Sequence, residues 1–143
     1  MLHFLTRCVG AAVLCALGTS VSATNSPRPV TDALTAWRLP ANTPEPMIDG
    51  RLDDAVWREA PVYDRFVQFL PEDKRPAQWR TTVQVVLTRD ALVFGIQAFD
   101  PNPALIRAPL ARRDQVRRDQ DFVGVLIDAL GQRRTAQYAR VNA

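Results

Sequence analysis

From Arg112 to Asp121 the chain reads R-R-D-Q-V-R-R-D-Q-D, which sets Arg112, Arg113, Arg117 and Arg118 among Asp114, Asp119 and Asp121. A guanidinium is a planar fork of N–H donors and a carboxylate is a pair of acceptors. This spacing can therefore grip vicinal hydroxyls, or the carboxylate of an acidic sugar, through paired hydrogen bonds. The competing reading is a solvated face whose charges are satisfied by one another and by water. Trp79 stands between a charged loop and a strand pattern and is the best candidate for an exposed aromatic platform. Trp57 lies at the edge of an apolar helical stripe set by Leu52, Val56 and Ala60, and reads as a core residue burying a large apolar area. The recognition set read from the sequence is thus Trp79, Arg112, Arg113, Arg118 and Asp121.

Asp100, Asp119, Asp121 and Asp128 are oxygen donors of the kind calcium takes, although their spacing matches no EF-hand loop. Calcium is the one cofactor the sequence suggests. Catalysis is not expected. The chain has no H-E-x-x-H, no G-x-S-x-G and no phosphate-binding loop, and its single histidine, His3, stands near the N-terminus. Two carboxylates facing across a sugar would suffice for glycoside hydrolysis. Asp49, Asp53 and Asp54, however, have structural roles at a turn and a helix start.

These residues need elements to position them. Ile48 to Trp57 reads I-D-G-R-L-D-D-A-V-W, in which Asp49-Gly50 supplies a positive-φ corner and Asp53 and Asp54 are expected to cap a short plug helix. Val62 to Leu70 reads as a strand ended by Pro71, followed by a charged loop from Glu72 to Gln78. From Arg80 to Arg89, Thr82, Gln84 and Thr88 alternate with Val83, Val85 and Leu87. From Ala91 to Phe99, Leu92, Phe94, Ile96 and Ala98 share a face, so the pair predicts an antiparallel hairpin.

Asp100-Pro101-Asn102-Pro103 stops that pairing, and the arginine-rich crossover follows. Phe122 to Ile127 reads as a strand covered on both faces, and Arg134 to Val141 alternates again. The pattern predicts an all-β fold, a jelly-roll-like antiparallel β-sandwich with one short plug helix. Loops at the ends of such a sandwich gather recognition residues, which favours the 112–121 loop.

The first 23 residues resemble a secretory signal: Arg7, an apolar run from Cys8 to Gly18, then Val21-Ser22-Ala23. That run is about half a membrane span. Export to the periplasm, outer membrane or extracellular space is expected. Both cysteines, Cys8 and Cys15, would leave with the leader, so no disulfide is expected in the exported chain. Residues 24–46, with five prolines, read as an extended linker, and residues 47–143 as the sandwich domain. The whole chain has 18 Lys and Arg against 15 Asp and Glu, a net charge of +3 that falls by one with Arg7. That balance argues against a nucleic-acid partner. About five strands are expected, fewer than two closed sheets need. The chain therefore reads as the N-terminal part of a longer protein.

Four stretches resemble the family 9 carbohydrate-binding modules in order and spacing: I-D-G-R-L-D-D-A-V-W at 48–57, A-L-V-F-G-I-Q-A-F-D at 91–100, D-F-V-G-V-L-I-D at 121–128 and A-Q-Y-A-R-V-N at 136–142. Arg112-Arg113-Asp114 and Val123 to Asp128 are similar to secreted Gram-negative proteins in which such a module precedes an outer-membrane β-barrel. The resemblance implies a jelly-roll-like sandwich, binding of a polysaccharide or oligosaccharide, and association with carbohydrate breakdown by enzymes that hydrolyse O-glycosyl compounds.

The chain departs from sugar-binding members at two positions. Arg118 stands where they carry a stacking tryptophan, and Gly124 where they carry a glutamate. The expectation is a non-catalytic carbohydrate-binding module. The alternative is an interaction or plug domain of an outer-membrane barrel without sugar binding, which Arg118 favours.

Overall fold

The structure is a computed structural model that describes residues 2–8, 33–71, 73–112, 115, 117 and 119–142. Among the described residues the secondary structure is strands in two sheets, with one short helix and one 3-10 turn, so the fold is all-β as expected. The chain divides into two compact units, Met1–Pro101 and Asn102–Ala143. Among the described residues no helix is long and apolar enough to cross a membrane.

In the first unit, β1 (Leu2–Cys8), β2 (Ala36–Arg38), β3 (Thr81–Leu87) and β4 (Leu92–Ala98) form one sheet in the order β1-β4-β3-β2. The β3–β4 hairpin is the one the alternation predicts, with Thr81 opposite Ala98 and Leu87 opposite Leu92. Its turn is closed by Thr88, whose backbone N–H donates to Ala91 O at 2.9 Å and whose Oγ1 accepts from Ala91 N–H at 3.2 Å.

The sheet is mixed and not antiparallel throughout, because β1 runs parallel to β4 and β2 parallel to β3. Parallel neighbours need long crossovers, and the one between β2 and β3 carries α1 (Val56–Glu59). Leu2–Cys8, within the expected leader, pairs along the whole of β4, while residues 9–23 lie outside the described residues. Within the Pro-rich stretch, Ala36–Arg38 joins the sheet, and Trp37 and Leu39 pack against the core.

The Asp-Gly turn forms as read: Gly50 has φ 83°, and Asp49 Oδ1 accepts from Arg51 N–H at 2.8 Å. The capping expectation fails, since Ala55 is the N-cap and no side chain bonds there. Asp54 Oδ2 instead accepts from Met47 N–H at 3.1 Å, so this carboxylate ties the incoming chain and not the helix end. The single turn of α1 still works as a plug. Val56, Trp57 and Ala60 are buried with Val86 and Val93, and Leu52, Trp37 and Leu39 close the rim.

Trp57 is 0% exposed, and its indole leaves no room beneath it. A Cβ on Gly95 would lie 2.8 Å from Trp57 Cζ3 and 2.9 Å from Leu52 Cδ2. Gln84 and Thr88, which alternate with the valines and leucine of the strand, are buried as well. The plug lies on the Gln84–Val86 side of the sheet, and the Gln84 amide satisfies carbonyls at the end of the helix.

The strand expected over residues 62–70 does not form. That segment makes only isolated bridges, Tyr63 to Val83 and Val67 to Pro76, and is otherwise irregular. Its turns are closed by Gln68 N–H to Arg75 O at 2.7 Å and Ala77 N–H to Phe66 O at 3.0 Å.

The second unit starts with a 3-10 turn, Pro103–Leu105, and ends in an antiparallel hairpin of β5 (Phe122–Ile127) and β6 (Gln137–Asn142). Contrary to expectation β5 is not covered on both faces, because Gly124 and Leu126 are exposed. Val123, Val125, Ile127, Ala139 and Val141 form its half-buried face. An apolar run hides such an alternation, since its two faces differ in exposure and not in residue type.

Candidate functional site

The outer face of the second hairpin is built from alternate residues. Phe122 pairs with Asn142, Gly124 with Arg140 and Leu126 with Tyr138, and directly paired residues share one face. Gly124 allows Tyr138, the diagonal neighbour, to lie against the strand. A Cβ at Gly124 would be 2.6 Å from Tyr138 Oη and 2.7 Å from its Cε2. The Arg140 guanidinium then stacks on two rings, 5.2 Å from the Phe122 centroid and 5.3 Å from that of Tyr138. Such cation–π contacts hold a guanidinium in place and leave its edge for hydrogen bonds. Tyr138 remains 51% exposed and Leu126 70% exposed, so the face presents an aromatic ring, a fixed cation and an apolar neighbour to solvent.

The arginine-rich loop leads into this hairpin. Asp121 closes it with two bonds: its N–H donates to Arg107 O at 2.9 Å, and its Oδ2 accepts from Arg107 N–H at 2.7 Å. Asn142 Nδ2 donates to Pro109 O at 2.8 Å and fastens the same end. Asp121 therefore positions the loop with the oxygen the sequence reading offered to a ligand. Arg112 is exposed and its carbonyl accepts from Gln115 N–H at 3.0 Å. Arg117 pairs with Asp119 at 3.3 Å, both exposed, which matches the solvated-face reading for that pair. Arg113 and Arg118 lie outside the described residues.

Trp79 lies in the first unit just before β3 and is 49% exposed. Its neighbour Arg80 is held at 3.7 Å from Asp64 and over the Phe99 ring at 5.6 Å.

Among the described residues no group of three or more His, Cys, Asp or Glu could hold a metal ion. Asp100 belongs to the first unit and Asp119, Asp121 and Asp128 to the second. Asp119 is engaged by Arg117 and Asp121 by Arg107. Asp128 organises the β5–β6 turn: its Oδ1 accepts from Leu130 N–H at 3.1 Å and its Oδ2 from Arg133 N–H at 2.5 Å. The Arg133 N–H, followed by those of Leu130, Gln132 and Gly131, holds the Asp128 carboxyl below the ordinary aspartate range against a smaller opposing effect of desolvation. These bonds account for carboxylates that spacing alone offered to a cation.

Sequence reasoning missed Tyr138, Arg140 and Phe122. The available signal was Gly124 inside an apolar strand, which marks a close approach by another group. It also missed a cleft in the first unit whose walls include Arg38 and Arg89. The chain matches no family model, no curated protein and no solved structure.

Proposed function

We propose that this chain is a non-catalytic glycan-binding module of an exported protein associated with carbohydrate breakdown. The observation that carries the reading is Tyr138, laid over Gly124 and half-exposed beside the stacked Arg140. Sugars bind such surfaces because their C–H faces pack on a ring while hydroxyls keep hydrogen bonds at its edge. Tyr138 supplies the ring, and the guanidinium edge and the Tyr138 hydroxyl supply polar partners. The four family-like stretches of the sequence support the same reading, with Tyr138 taking over from the tryptophan that Arg118 replaces.

A glycan array probed with the full chain tests it. Binding is expected, and Tyr138→Ala should weaken it roughly tenfold, as loss of one aromatic contact would. Gly124→Ala should act in the same direction by driving the ring off the strand. The reading fails if no glycan is retained, or if both variants bind as the parent does.

A second reading, an interaction or plug domain serving an outer-membrane barrel, draws support from Leu126, which is 70% exposed on the same face. Leu126→Ser separates the two. It should leave glycan retention nearly unchanged under the first reading and abolish partner capture under the second.

A further inference from the structure

Where β2 ends and the β3–β4 turn begins, the first unit opens a cleft of about 710 Å³, walled by Arg38, Leu39, Thr43, Glu45, Leu87 and Arg89 among others. The walls are fixed by backbone bonds: Leu39 N–H donates to Leu87 O at 2.9 Å, and Thr43 N–H to Pro40 O at 3.0 Å. Parallel pairing puts Arg38 opposite Leu87, so the chain leaves β2 and β3 at the same end of the sheet, with Arg38 and Arg89 on one cleft. Among the described residues neither arginine forms an ion pair, and both are exposed. Both forks are open to a ligand.

The geometry points to a second binding site, a cleft for a hydroxylated monocarboxylate such as a hexuronic acid. Two guanidinium groups favour a planar carboxylate, which they can meet with paired hydrogen bonds. Glu45 on the same wall disfavours a doubly charged phosphate and accepts hydrogen bonds from hydroxyls, which the Thr43 side chain can also bond. Two arginines and one glutamate leave a single positive charge, which a monoanion neutralises. Leu39 and Leu87 offer apolar surface to ring C–H groups. The volume lies within the roughly 300–1,000 Å³ range of small-molecule sites.

The choice of a sugar acid over other hydroxy acids rests on the glycan reading above, whereas the two-arginine carboxylate site does not. The site lies in the first unit and the Tyr138 face in the second, so they can fail separately.

Calorimetric titration of the full chain with D-glucuronate, D-glucose and inorganic phosphate tests the inference. Glucuronate is expected to bind about tenfold or more tightly than glucose or phosphate, with Arg38→Ala and Arg89→Ala each weakening it roughly tenfold. Arg38→Lys and Arg89→Lys keep the charge but lose the fork, and should fall between parent and alanine variants. Equal affinity for glucose and glucuronate, tighter binding of phosphate, no binding of glucuronate, or alanine variants that match the parent would each overturn it. A glycan-array signal lost in Tyr138→Ala while glucuronate binding persists would show that the two sites are independent.

Discussion

The side-chain amide of Gln84, in the middle of β3, donates to the backbone carbonyl of Trp57 at 2.6 Å and to that of Ala60 at 2.7 Å. The last carbonyls of any helix lack partners within it. Here a single strand residue supplies them from the face on which the helix lies. The Trp57 indole lies over Gly95 on the same face, so the plug is joined to the sheet by polar and apolar contacts at once.

Gln84→Ala removes both donors and leaves the two carbonyls without them in a buried setting. The expected loss is about 1–3 kcal/mol of unfolding free energy, read from urea denaturation at constant slope. Gln84→Glu should cost more at neutral pH, because a carboxylate would face two carbonyl oxygens. Stability of Gln84→Ala within about 0.5 kcal/mol of the parent would refute this role.

Gly95→Ala should destabilise by about 1–3 kcal/mol, since its Cβ meets ring and methyl carbons that are themselves packed. Trp57→Ala should cost about 3–5 kcal/mol through the cavity it leaves. In the double variant the new methyl enters the space the indole vacated. Its cost should therefore be smaller than the sum of the two, and strict additivity would count against direct contact.

Asp128 links the β5–β6 turn to pH. Its folded-state carboxyl titrates below the ordinary value, so its contribution is fully present above the unfolded-state pKa and is lost as pH falls through the folded-state one. Acid titration followed by NMR should show the amide signals of Leu130 and Arg133 moving with an apparent midpoint below the usual aspartate range. Asp128→Asn should flatten both curves. A midpoint at or above the ordinary value would exclude the turn geometry described.

Removal of residues 1–23 would strip β1 from β4 and leave the seven residues Leu92–Ala98 with an unpaired edge. Hydrogen exchange compared between residues 1–143 and residues 24–143 should show β4 amides exchanging about tenfold or more faster in the shorter chain, with β3 amides less affected. Equal protection in the two chains would mean that β1 does not hold that edge.

Much of the backbone plan was legible from local pattern. The Asp49-Gly50 corner, the Leu52–Val56–Ala60 stripe ending in a buried Trp57, the Thr81–Ala98 hairpin and the strands that became β5 and β6 all follow from turn chemistry and periodicity, which act over a few residues. Period two also explains the failures. It reports that two faces differ but not what covers either one, so the polar alternation of Gln84 did not show that the plug lies on its side of the sheet, and Leu126 was read as covered because its neighbours are apolar.

By itself the sequence determined the all-β class, the β3–β4 hairpin and the aromatic core residue, because each rests on interactions between near neighbours. Only the tertiary structure decided that Tyr138 lies across Gly124, that Asp121 clamps Arg107 and that Arg38 and Arg89 share one cleft. Those juxtapositions come from pairing register and crossover paths between distant segments, whose free energy is set by mutual burial and hydrogen bonding; the local order of residues marks at most one side of such a contact, as Gly124 does, and does not name its partner.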